Sequence, residues 1–310
     1  MTIFYTVSGA PVVQSRGASK NIRDEFALIQ TAFASVSSKL GEIVSVTDYG
    51  ATGDGTTDDT AAINSAIAAV GAAGGGTVYI PAGTYRLTDS NPGAVSWDDN
   101  RALYVAYDNI RIVGDGIGST ILTLANSADC HVLQVGQRTA STLPIDNFQI
   151  SNIEINGNRL NQTQPTAAND HWSGIYFVSN STNITVRDMF IHDVQYYGIG
   201  FQRDGFVNCR VEDCRIEDTG ADGIDFKMDV NASGFGNYIR GVVVSRPGLN
   251  VTALGGLLTA QAGIDVRHGV DVSDCIVTEI GADVTGVRIN ANIDNGSTYR
   301  STITNAKCYS

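Results

Sequence analysis

Apolar residues recur at a fixed spacing in the second half of the chain. Five segments begin with a glycine that is followed by an aliphatic residue, a variable residue and a second apolar residue. They start at Gly174, Gly198, Gly223, Gly263 and Gly286, which lie 24, 25, 40 and 23 residues apart. A repeat of this length is typical of a solenoid whose coils stack on one another.

A second set of apolar positions runs beside the glycine segments. In each repeat an aliphatic residue is followed three and five residues later by further apolar residues, and a turn-forming residue precedes the middle one. The three apolar columns are Ile150, Val186, Val211, Ile239, Val272 and Ile303; Ile153, Met189, Cys214, Val242, Cys275 and Ala306; and Ile155, Ile191, Ile216, Val244, Val277 and Cys308. The turn residues are Asn152, Asp188, Asp213, Gly241, Asp274 and Asn305.

Two apolar strand registers in each repeat predict β-strands that stack coil on coil, about 4.8 Å apart. Like residues then form ladders that face the interior, which places the sulfur atoms of Met189, Cys214 and Cys275 in the core. The 40-residue step predicts an inserted loop of about fifteen residues around residues 247–261. Such insertions often form the binding surface of a solenoid.

The most specific stretch of the chain is residues 43–87. Asp58, Asp59 or Thr60 can cap a short helix, because short polar side chains accept the free backbone N–H groups of a first turn. Three glycines at residues 74–76 end this helix, and two short strands separated by a Pro-Ala-Gly turn follow it.

This order of helix, glycine turn and strand resembles the opening of pectate-lyase-superfamily proteins, an opening that phage tailspikes commonly carry. The resemblance implies an all-β, right-handed parallel β-helix, a solenoid, over residues 43–310, with the helix closing one end. Residues 43–90 would form the opening and residues 150–310 the regular coils. Asp58 and Asp59 look catalytic in isolation, but capping and turn roles explain them better.

Residues 1–42 are predicted to form a separate module. Ser19 can cap a helix with one apolar stripe, and a single helix cannot bury such a stripe alone. The stripe is expected to pack on the main domain, on a sister chain or on another protein. This stretch resembles the start of phage tail proteins whose first residues anchor to the virion, which implies a virion-anchoring or adaptor role. The stripe consists of Ile22, Phe26, Ile29, Phe33 and Val36.

Charge and composition exclude several classes of function. The net charge of −12, with no basic stripe, opposes binding to nucleic acid or to an anionic membrane surface. The five cysteines have no metal-ligand spacing, so we expect buried free thiols, with no metal or other cofactor. No segment approaches the roughly 18 consecutive apolar residues of a membrane span. The first residues lack the basic and apolar regions of a secretion signal, so no membrane insertion or Sec-type export is expected.

Candidate chemistry lies on the outward side of the glycine segments. Side chains alternate along a strand, so the variable residue of each segment should face outward. The outward column is Tyr176, Gly200, Asp225, Asp265 and Arg288. Neighbouring members should lie one strand spacing apart, and Asp222 flanks them.

The outward residues allow three readings. Asp222, Asp225 and Asp265 could be catalytic, since glycoside hydrolysis needs two nearby carboxyl groups, one of which donates a proton. A polysaccharide lyase would instead use a base and a cation, for which His268, Arg267 or Arg288 would serve. In the third reading the charged residues form a salt-bridged ladder on a solvated face, without catalysis. That ladder would comprise Asp225, Lys227, Asp265, Arg267 and Arg288.

Two segments, GADGIDF at residues 220–226 and GVRIN at residues 286–290, loosely resemble parts of the polygalacturonase signature. The resemblance implies that Asp222 is the first aspartate, His268 the histidine and Arg288 the arginine of that site. This sequence departs seriously from the signature, because it lacks the pair of adjacent aspartates that forms the second motif of the signature. Arg267 also replaces the glycine before the histidine, and Asn290 replaces the lysine.

Aromatic residues in loops are candidates for stacking on sugar rings. Trp172 and Tyr197 are the predicted substrate contacts, together with His268, Arg267 and Arg288. Trp97 and Tyr196 are further aromatic candidates, although many such residues only cover the edge of a core. Two acid–base pairs that are more typical of surface groups are Asp170 with His171 and His192 with Asp193.

These observations favour a phage tailspike or tail-associated protein that binds, and in a catalytic form depolymerises, host capsule or lipopolysaccharide. Its expected partners are that polysaccharide and, through residues 1–42, other tail proteins, in a virion tail. A homotrimer is expected, since open coils expose strand edges that association can cover. One alternative is a non-catalytic virion protein that uses the β-helix as a rigid platform. Another is a cellular glycoside hydrolase or polysaccharide lyase.

Overall fold

A computed structural model of the chain describes residues 3–5, 11–13, 26–31, 43–92, 99–137, 143–163, 172–178, 180–202, 205–227, 236–249, 261–267, 269–280, 284–289 and 301–309. Several residues discussed above lie outside this set, namely Ser19, Ile22, Phe33, Val36, Trp97, Asp170, His171, His268 and Asn290, and so do residues 250–260 of the predicted inserted loop. The chain forms two compact units, Met1–Ile43 and Val44–Ser310.

Nearly all regular structure is β-strand. In chain order the strands are β1 (Ile3–Tyr5), β2 (Pro11–Val13), β3 (Ile43–Ser45), β4 (Asp54–Asp58), β5 (Gly76–Ile80), β6 (Gly83–Leu87), β7 (Arg101–Val105), β8 (Ile110–Gly114), β9 (Thr120–Leu124), β10 (His131–Val135), β11 (Gln149–Asn156), β12 (Ile175–Val178), β13 (Thr185–Val194), β14 (Ile199–Gln202), β15 (Arg210–Glu212), β16 (Arg215–Thr219), β17 (Ile224–Phe226), β18 (Asn237–Arg240), β19 (Val243–Ser245), β20 (Gln261–Val266), β21 (Val270–Ser273), β22 (Ile276–Thr278), β23 (Val284–Ile289), β24 (Thr302–Thr304) and β25 (Lys307–Cys308). The helix α1 is Thr60–Ala72, and 3₁₀ turns span Val46–Tyr49 and Arg159–Asn161.

The described residues of the first unit form two short strands, a helical segment and the first residue of β3. β1 and β2 pair antiparallel, a pairing that the sequence did not indicate. Residues 26–31 are helical, within the stretch for which a helix was predicted, and the rest of that predicted helix lies outside the described residues.

The second unit is an all-β parallel β-helix. Seven strands form one ladder in the order β23-β20-β17-β14-β12-β10-β7, which we call the seven-strand ladder. A 16-stranded sheet forms the other sides and bends into two arms, because β11 and β13 each pair with strands of both arms. The coils also include β5 to β10, in a region where the sequence showed no repeat.

The predicted columns are confirmed by the strand registers. Ile175, Ile199, Ile224, Ile264 and Val287 are successive partners in parallel pairs. The column from Ile150 to Ile303 and the column from Ile155 to Cys308 are also paired residue by residue, always in parallel.

The apolar columns form one continuous core. Met189, Cys214 and Cys275 are buried, as predicted from their positions. The rings of Phe177, Phe201 and Phe226 stack along the axis of the coil, with centroids 4.6 and 4.1 Å apart. The thiol of Cys308 is exposed, unlike the expectation, because its strand β25 pairs only with β22 among the described strands.

The glycine of each repeat is required by close packing. At Gly198 a Cβ atom would lie 2.6 Å from the carbonyl oxygen of Gly223 and 2.6 Å from Cγ2 of Ile216, which belongs to the opposite sheet. Gly174, Gly223 and Gly263 meet similar neighbours, and Gly286 meets the side chains of Cys308 and Ile280. Any larger residue would therefore push the seven-strand ladder away from the core.

The predicted turn residues adopt the left-handed backbone that joins the two arms. Asn152, Asp188, Asp213, Gly241, Asp274 and Asn305 have φ between 51° and 67°. Asparagine, aspartate and glycine tolerate this conformation better than other residues. Neighbouring turns also bond to each other, since the amide of Asn305 donates to Asp274 at 2.7 Å.

Helix α1 packs its apolar face, which includes Ile63, Ile67 and Val70, into the core. Asp59 is the N-cap residue of this helix but makes no side-chain capping hydrogen bond, and the Asp58 carboxylate accepts the backbone N–H of Thr60 at 3.1 Å in a turn contact. The buried Asp59 carboxylate instead accepts the backbone N–H groups of Thr52 and Gly53. Both aspartates therefore make the structural contacts expected of them. No helix among the described residues is both long and apolar enough to span a membrane.

Gly198→Ala should lower the free energy of unfolding by about 1–3 kcal/mol, because the added methyl group overpacks the contact with Gly223 and Ile216. The matched control is Gly200→Ala, where the nearest atoms are side-chain atoms of Tyr197 and Gln202 at 3.1 and 3.4 Å. Urea unfolding followed by circular dichroism measures both variants. Equal stability of Gly198→Ala and the unmodified chain would contradict the packing argument.

Candidate functional site

The outward side of the seven-strand ladder carries the predicted column of charged residues. Gly200, Asp225, Asp265 and Arg288 are successive partners on β14, β17, β20 and β23. The hypothesis of a salt-bridged ladder predicted that this face is solvated. It is not, because Asp225 and Asp265 expose only 1% and 3% of their surface. Ring and alkyl groups on the same face, such as Tyr197 and Lys227, cover part of this column.

Three carboxyl groups converge here, from Asp222, Asp225 and Asp265, and we call them the carboxylate cluster. One oxygen of each lies within 4.8 Å of the others. Lys227 Nζ contacts Asp225 Oδ2 at 2.9 Å, and Arg288 Nη2 contacts Asp265 Oδ2 at 2.5 Å. These charge-assisted contacts offset much of the cost of burying two carboxylates.

Part of the cluster remains available for hydrogen bonding. The Oδ1 atoms of Asp225 and Asp265 are buried and have no hydrogen-bond partner among the described residues. Gln202 adds a second donor to Asp225 Oδ2, at 3.2 Å. Buried acceptors without partners are costly, so two such oxygens in one place are typical of a functional site.

Asp222 differs from the other two aspartates. Its carboxyl group accepts the backbone N–H of Ala262, which lies on the next coil of the ladder. Burial, followed by the nearby charge of Asp225, raises the pKa of Asp222 well above its usual value. Asp222 is therefore a neutral acid under conditions in which an ordinary aspartate is ionised, and it can donate a proton.

Tyr197 closes one side of the cluster. Its hydroxyl group accepts a hydrogen bond from Lys227 Nζ at 2.9 Å, and its ring meets Tyr196 edge to face at a centroid distance of 4.3 Å. The absence of a side chain at Gly200 leaves room for this ring, since a Cβ there would lie 3.1 Å from Tyr197 Cδ2. Burial raises the pKa of Tyr197 well above its usual value, so the phenol stays protonated.

The carboxylate cluster has the spacing of a cation site. Carboxylate oxygens are the ligands that calcium and magnesium prefer. A divalent ion would have to compete with Lys227 and Arg288, which already neutralise two of the three carboxylates. That the protein uses no metal stays a prediction.

Comparison with known proteins identifies the family. The family model described as "Rhamnogalacturonase A/epimerase, pectate lyase-like" matches residues 43–230, more than half of the chain. The chain belongs to this pectate lyase-like family. The matched range includes Tyr197, Asp222 and Asp225.

The chain is similar in sequence to two enzymes of Azotobacter vinelandii. It is 31% identical to mannuronan C5-epimerase AlgE2 of Azotobacter vinelandii over 244 residues, which cover 73% of this chain and 23% of AlgE2. It is 33% identical to alginate lyase 7 of the same organism over 187 residues, which cover 59% of this chain and 21% of the lyase. The chain thus spans less than a quarter of the length of these two relatives.

Among solved structures, the chain resembles ORF18 of Geobacillus virus E2 with a TM-score of 0.59. The match covers 93% of this chain and 54% of the viral chain, at 16% sequence identity. At that identity the likeness shows a shared fold.

The structure brings together most of the predicted site residues. Asp222, Asp225, Asp265, Arg288 and Tyr197 lie on one face of four successive coils. The sequence analysis did not single out Gln202, although it has a signal for it. Gln202 occupies the fourth place after its repeat glycine, as Lys227 and Arg267 do after theirs.

Of the three other predicted substrate contacts, Arg267 lies at the end of a strand of the same ladder, Trp172 lies elsewhere and His268 lies outside the described residues. Arg267 follows β20, and its backbone N–H donates to Phe226. Trp172 lines a crevice with Cys130 and Gln162, and none of the described residues that line it belongs to the carboxylate cluster. His268 lies outside the described residues, so its predicted role stays a prediction.

A second titratable group lies on another side of the β-helix. His192 contacts Glu154 through Nε2 at 3.2 Å and Asp193 through Nδ1 at 2.9 Å. These residues belong to β11 and β13 of the 16-stranded sheet rather than to the seven-strand ladder. They are thus separate from the carboxylate cluster.

Asp222→Asn should flatten the pH dependence of stability. Above about pH 4 the unfolded chain loses the proton of this group while the folded protein keeps it, so stability falls as pH rises toward the raised pKa. Asparagine still accepts the N–H of Ala262 but has no proton to lose. Melting temperatures from pH 4 to pH 9 should therefore fall less in the variant than in the unmodified chain. Parallel curves would show that Asp222 does not retain its proton.

Proposed function

We propose that this chain binds and chemically processes a polysaccharide, with Asp222 as the proton donor. The observation that carries the proposal is a buried carboxyl group, with a pKa raised by burial, beside two ion-paired carboxylates on the outward face of the β-helix. Sugar chemistry of this kind needs one group that donates a proton and one that stays ionised. The relatives named for mannuronan and alginate support a polysaccharide as the substrate.

The geometry favours a short separation of the catalytic groups. Carboxyl oxygens within 4.8 Å of each other fit the roughly 5 Å separation of retaining glycosidases better than the wider separation of inverting ones. In a retaining mechanism Asp225 or Asp265 attacks the anomeric carbon as the glycosidic bond breaks, while Asp222 protonates the oxygen of the leaving sugar. Water then hydrolyses the glycosyl-enzyme bond. The side chains of Lys227 and Arg288, which are 27% and 21% exposed, form the part of the site that meets the polymer first.

The biological setting we propose is a virion tail. The likeness of the opening and of residues 1–42 to phage tail proteins supports it, and so does the fold shared with a protein of Geobacillus virus E2. The polysaccharide would then be host capsule or lipopolysaccharide, and residues 1–42 would attach the chain to other tail proteins. Labelling of purified virions with antibody against the chain should mark the tail in electron micrographs. Absence of the chain from virions would remove this setting.

A structural role is the second candidate, because the carboxylate cluster is nearly inaccessible. Less than 5% of the surface of each of its three aspartates is exposed. A buried network of ion pairs can specify how coils stack without any chemistry. In that case the β-helix is a rigid platform within the virion.

A substrate assay distinguishes the two candidates. The purified chain is incubated with alginate, polygalacturonate and capsular or lipopolysaccharide glycans, and products are read as new reducing ends, as unsaturated uronate absorbance and as changed NMR spectra without scission. Asp222→Asn should lower kcat by about 10²–10⁴-fold, the usual contribution of a general acid. Circular dichroism and the melting temperature of the variant are measured in parallel, so that a loss of activity caused by unfolding is recognised.

The matched control is Asp188→Asn. Asp188 is an exposed aspartate on β13 with φ of 52°, a backbone that asparagine also adopts. This control should keep full activity. A wild-type chain that neither binds nor alters any of the glycans would overturn the enzymatic proposal and favour the platform role.

A further inference from the structure

Hydrogen-bond acceptors without partners recur along the outward side of the seven-strand ladder. Besides Oδ1 of Asp225 and of Asp265, the side-chain oxygen of Gln134 is buried and has no partner among the described residues. The amide of Gln134 donates to the carbonyl oxygen of Gly136 at 3.0 Å, which fixes the end of the side chain that accepts. Gln134 lies in the same outward column as the two aspartates, three coils or about 14 Å from Asp225. A ligand on this face therefore has to bring donors.

The cations beside the carboxylate cluster are already engaged. Lys227 Nζ contacts Asp225 Oδ2 and donates to the hydroxyl group of Tyr197. Arg288 Nη2 contacts Asp265 Oδ2. Two carboxylates are thus balanced by two cations, and the oxygens that remain available on Asp225 and Asp265 belong to anionic groups.

This arrangement discriminates between the groups that a sugar ring can present. A sugar hydroxyl can donate to Oδ1 of Asp225 or Asp265 in a charge-assisted hydrogen bond. The carboxylate of a uronate has no proton to donate at neutral pH, and it would add a negative charge beside two buried anionic oxygens. The geometry therefore accepts hydroxyl groups and disfavours carboxylates at this place.

We infer that the polysaccharide that binds at the carboxylate cluster is neutral where it meets Asp225 and Asp265, rather than a polyuronate. The inference rests on the proposed function, because it names the substrate class of the same site. It also selects the reaction, since a lyase removes a proton beside a uronate carboxyl group and a neutral sugar has no such group. The reaction is then hydrolysis, in which water adds across the glycosidic bond and each broken bond gives one new reducing end.

Arg267 is the residue that could support the opposite preference. Its Nε atom is buried and has no hydrogen-bond partner in the part of the chain that the structure describes. Arg267 comes two residues after Asp265 in the sequence, and side chains two residues apart on a strand lie on the same face. A carboxylate held by Arg267 would therefore still lie near the available oxygen of Asp265.

The test uses pairs of polymers that differ only in charge. Alginate, polygalacturonate and acidic capsular polysaccharides are each compared with their carboxyl-reduced forms, in which every carboxylate becomes a hydroxymethyl group while linkages and ring configuration stay. Calorimetry with the purified full chain measures binding, and new reducing ends measure cleavage. The reduced form should bind at least about 10-fold more tightly than its acidic parent.

Salt separates this local effect from the charge of the whole chain. The net charge of −12 repels any acidic polymer at long range, and high salt screens that repulsion. Contact with buried oxygens is screened much less, so the preference should persist at high salt. A preference that disappears at high salt would overturn the inference.

Asp265→Asn tests whether the cluster causes the preference. This variant removes one anionic oxygen and leaves Arg288 without its carboxylate, so the preference for the reduced polymer should fall by about 10-fold. The matched control is Asp188→Asn, which removes the same charge from an exposed position on β13 and should keep the full preference. An undiminished preference in a folded Asp265→Asn variant would overturn the assignment to the cluster.

The comparison of polymers on the unmodified chain does not depend on how any variant folds. An acidic parent that binds as tightly as its reduced form or more tightly, or unsaturated uronate among the products, would overturn the inference and leave the proposed function standing. Loss of that acidic binding in Arg267→Gln would then identify Arg267 as the anion contact. A chain that binds neither member of any pair would instead overturn the proposed function, and this inference with it.

Discussion

Among the described residues, parallel strands of successive coils pair in register from β5 to β25, and the rest of the structure depends on this pairing. It stacks Phe177 on Phe201 and Phe226, and it brings the repeat glycines into contact with the opposite sheet. Backbone hydrogen bonds fix the register, and burial of apolar columns on one side prevents a shift by one residue. Each coil therefore supports the next, as expected for a quasi-one-dimensional architecture.

The same stacking creates the candidate site. Asp225 and Asp265 are 40 residues apart in the sequence but are direct partners on adjacent coils. The insertion between them changes the length of chain and leaves their register unaltered. Burial of three carboxyl groups in one place is unfavourable unless each is paired or protonated. Lys227 and Arg288 pair two of them, and the third, Asp222, keeps its proton.

The electrostatics of the carboxylate cluster therefore determine whether Asp222 can serve as the proposed proton donor. Burial first, and then the charge of Asp225, raises the pKa of the Asp222 carboxyl group, and the proposed proton donation to a sugar oxygen depends on this shift. Membership of the pectate lyase-like family is consistent with a reactive outward face on a parallel β-helix, since loops and outward residues can vary while the inward columns are kept.

The sequence alone determined the columns, because the period of each coil repeats in one dimension and needs no distant information. Ile175 and its partners, the turn residues such as Asn152 and the buried sulfur of Met189 followed from spacing alone. The coils from β5 to β10 did not, since their alternation lacks the glycine marker. Only the tertiary structure decided that the outward aspartates are buried and that Asp222 is protonated. The raised pKa of Asp222 depends first on burial and then on the charges of Asp225 and Asp265, and Asp265 reaches the site from the next coil of the ladder rather than by sequence proximity.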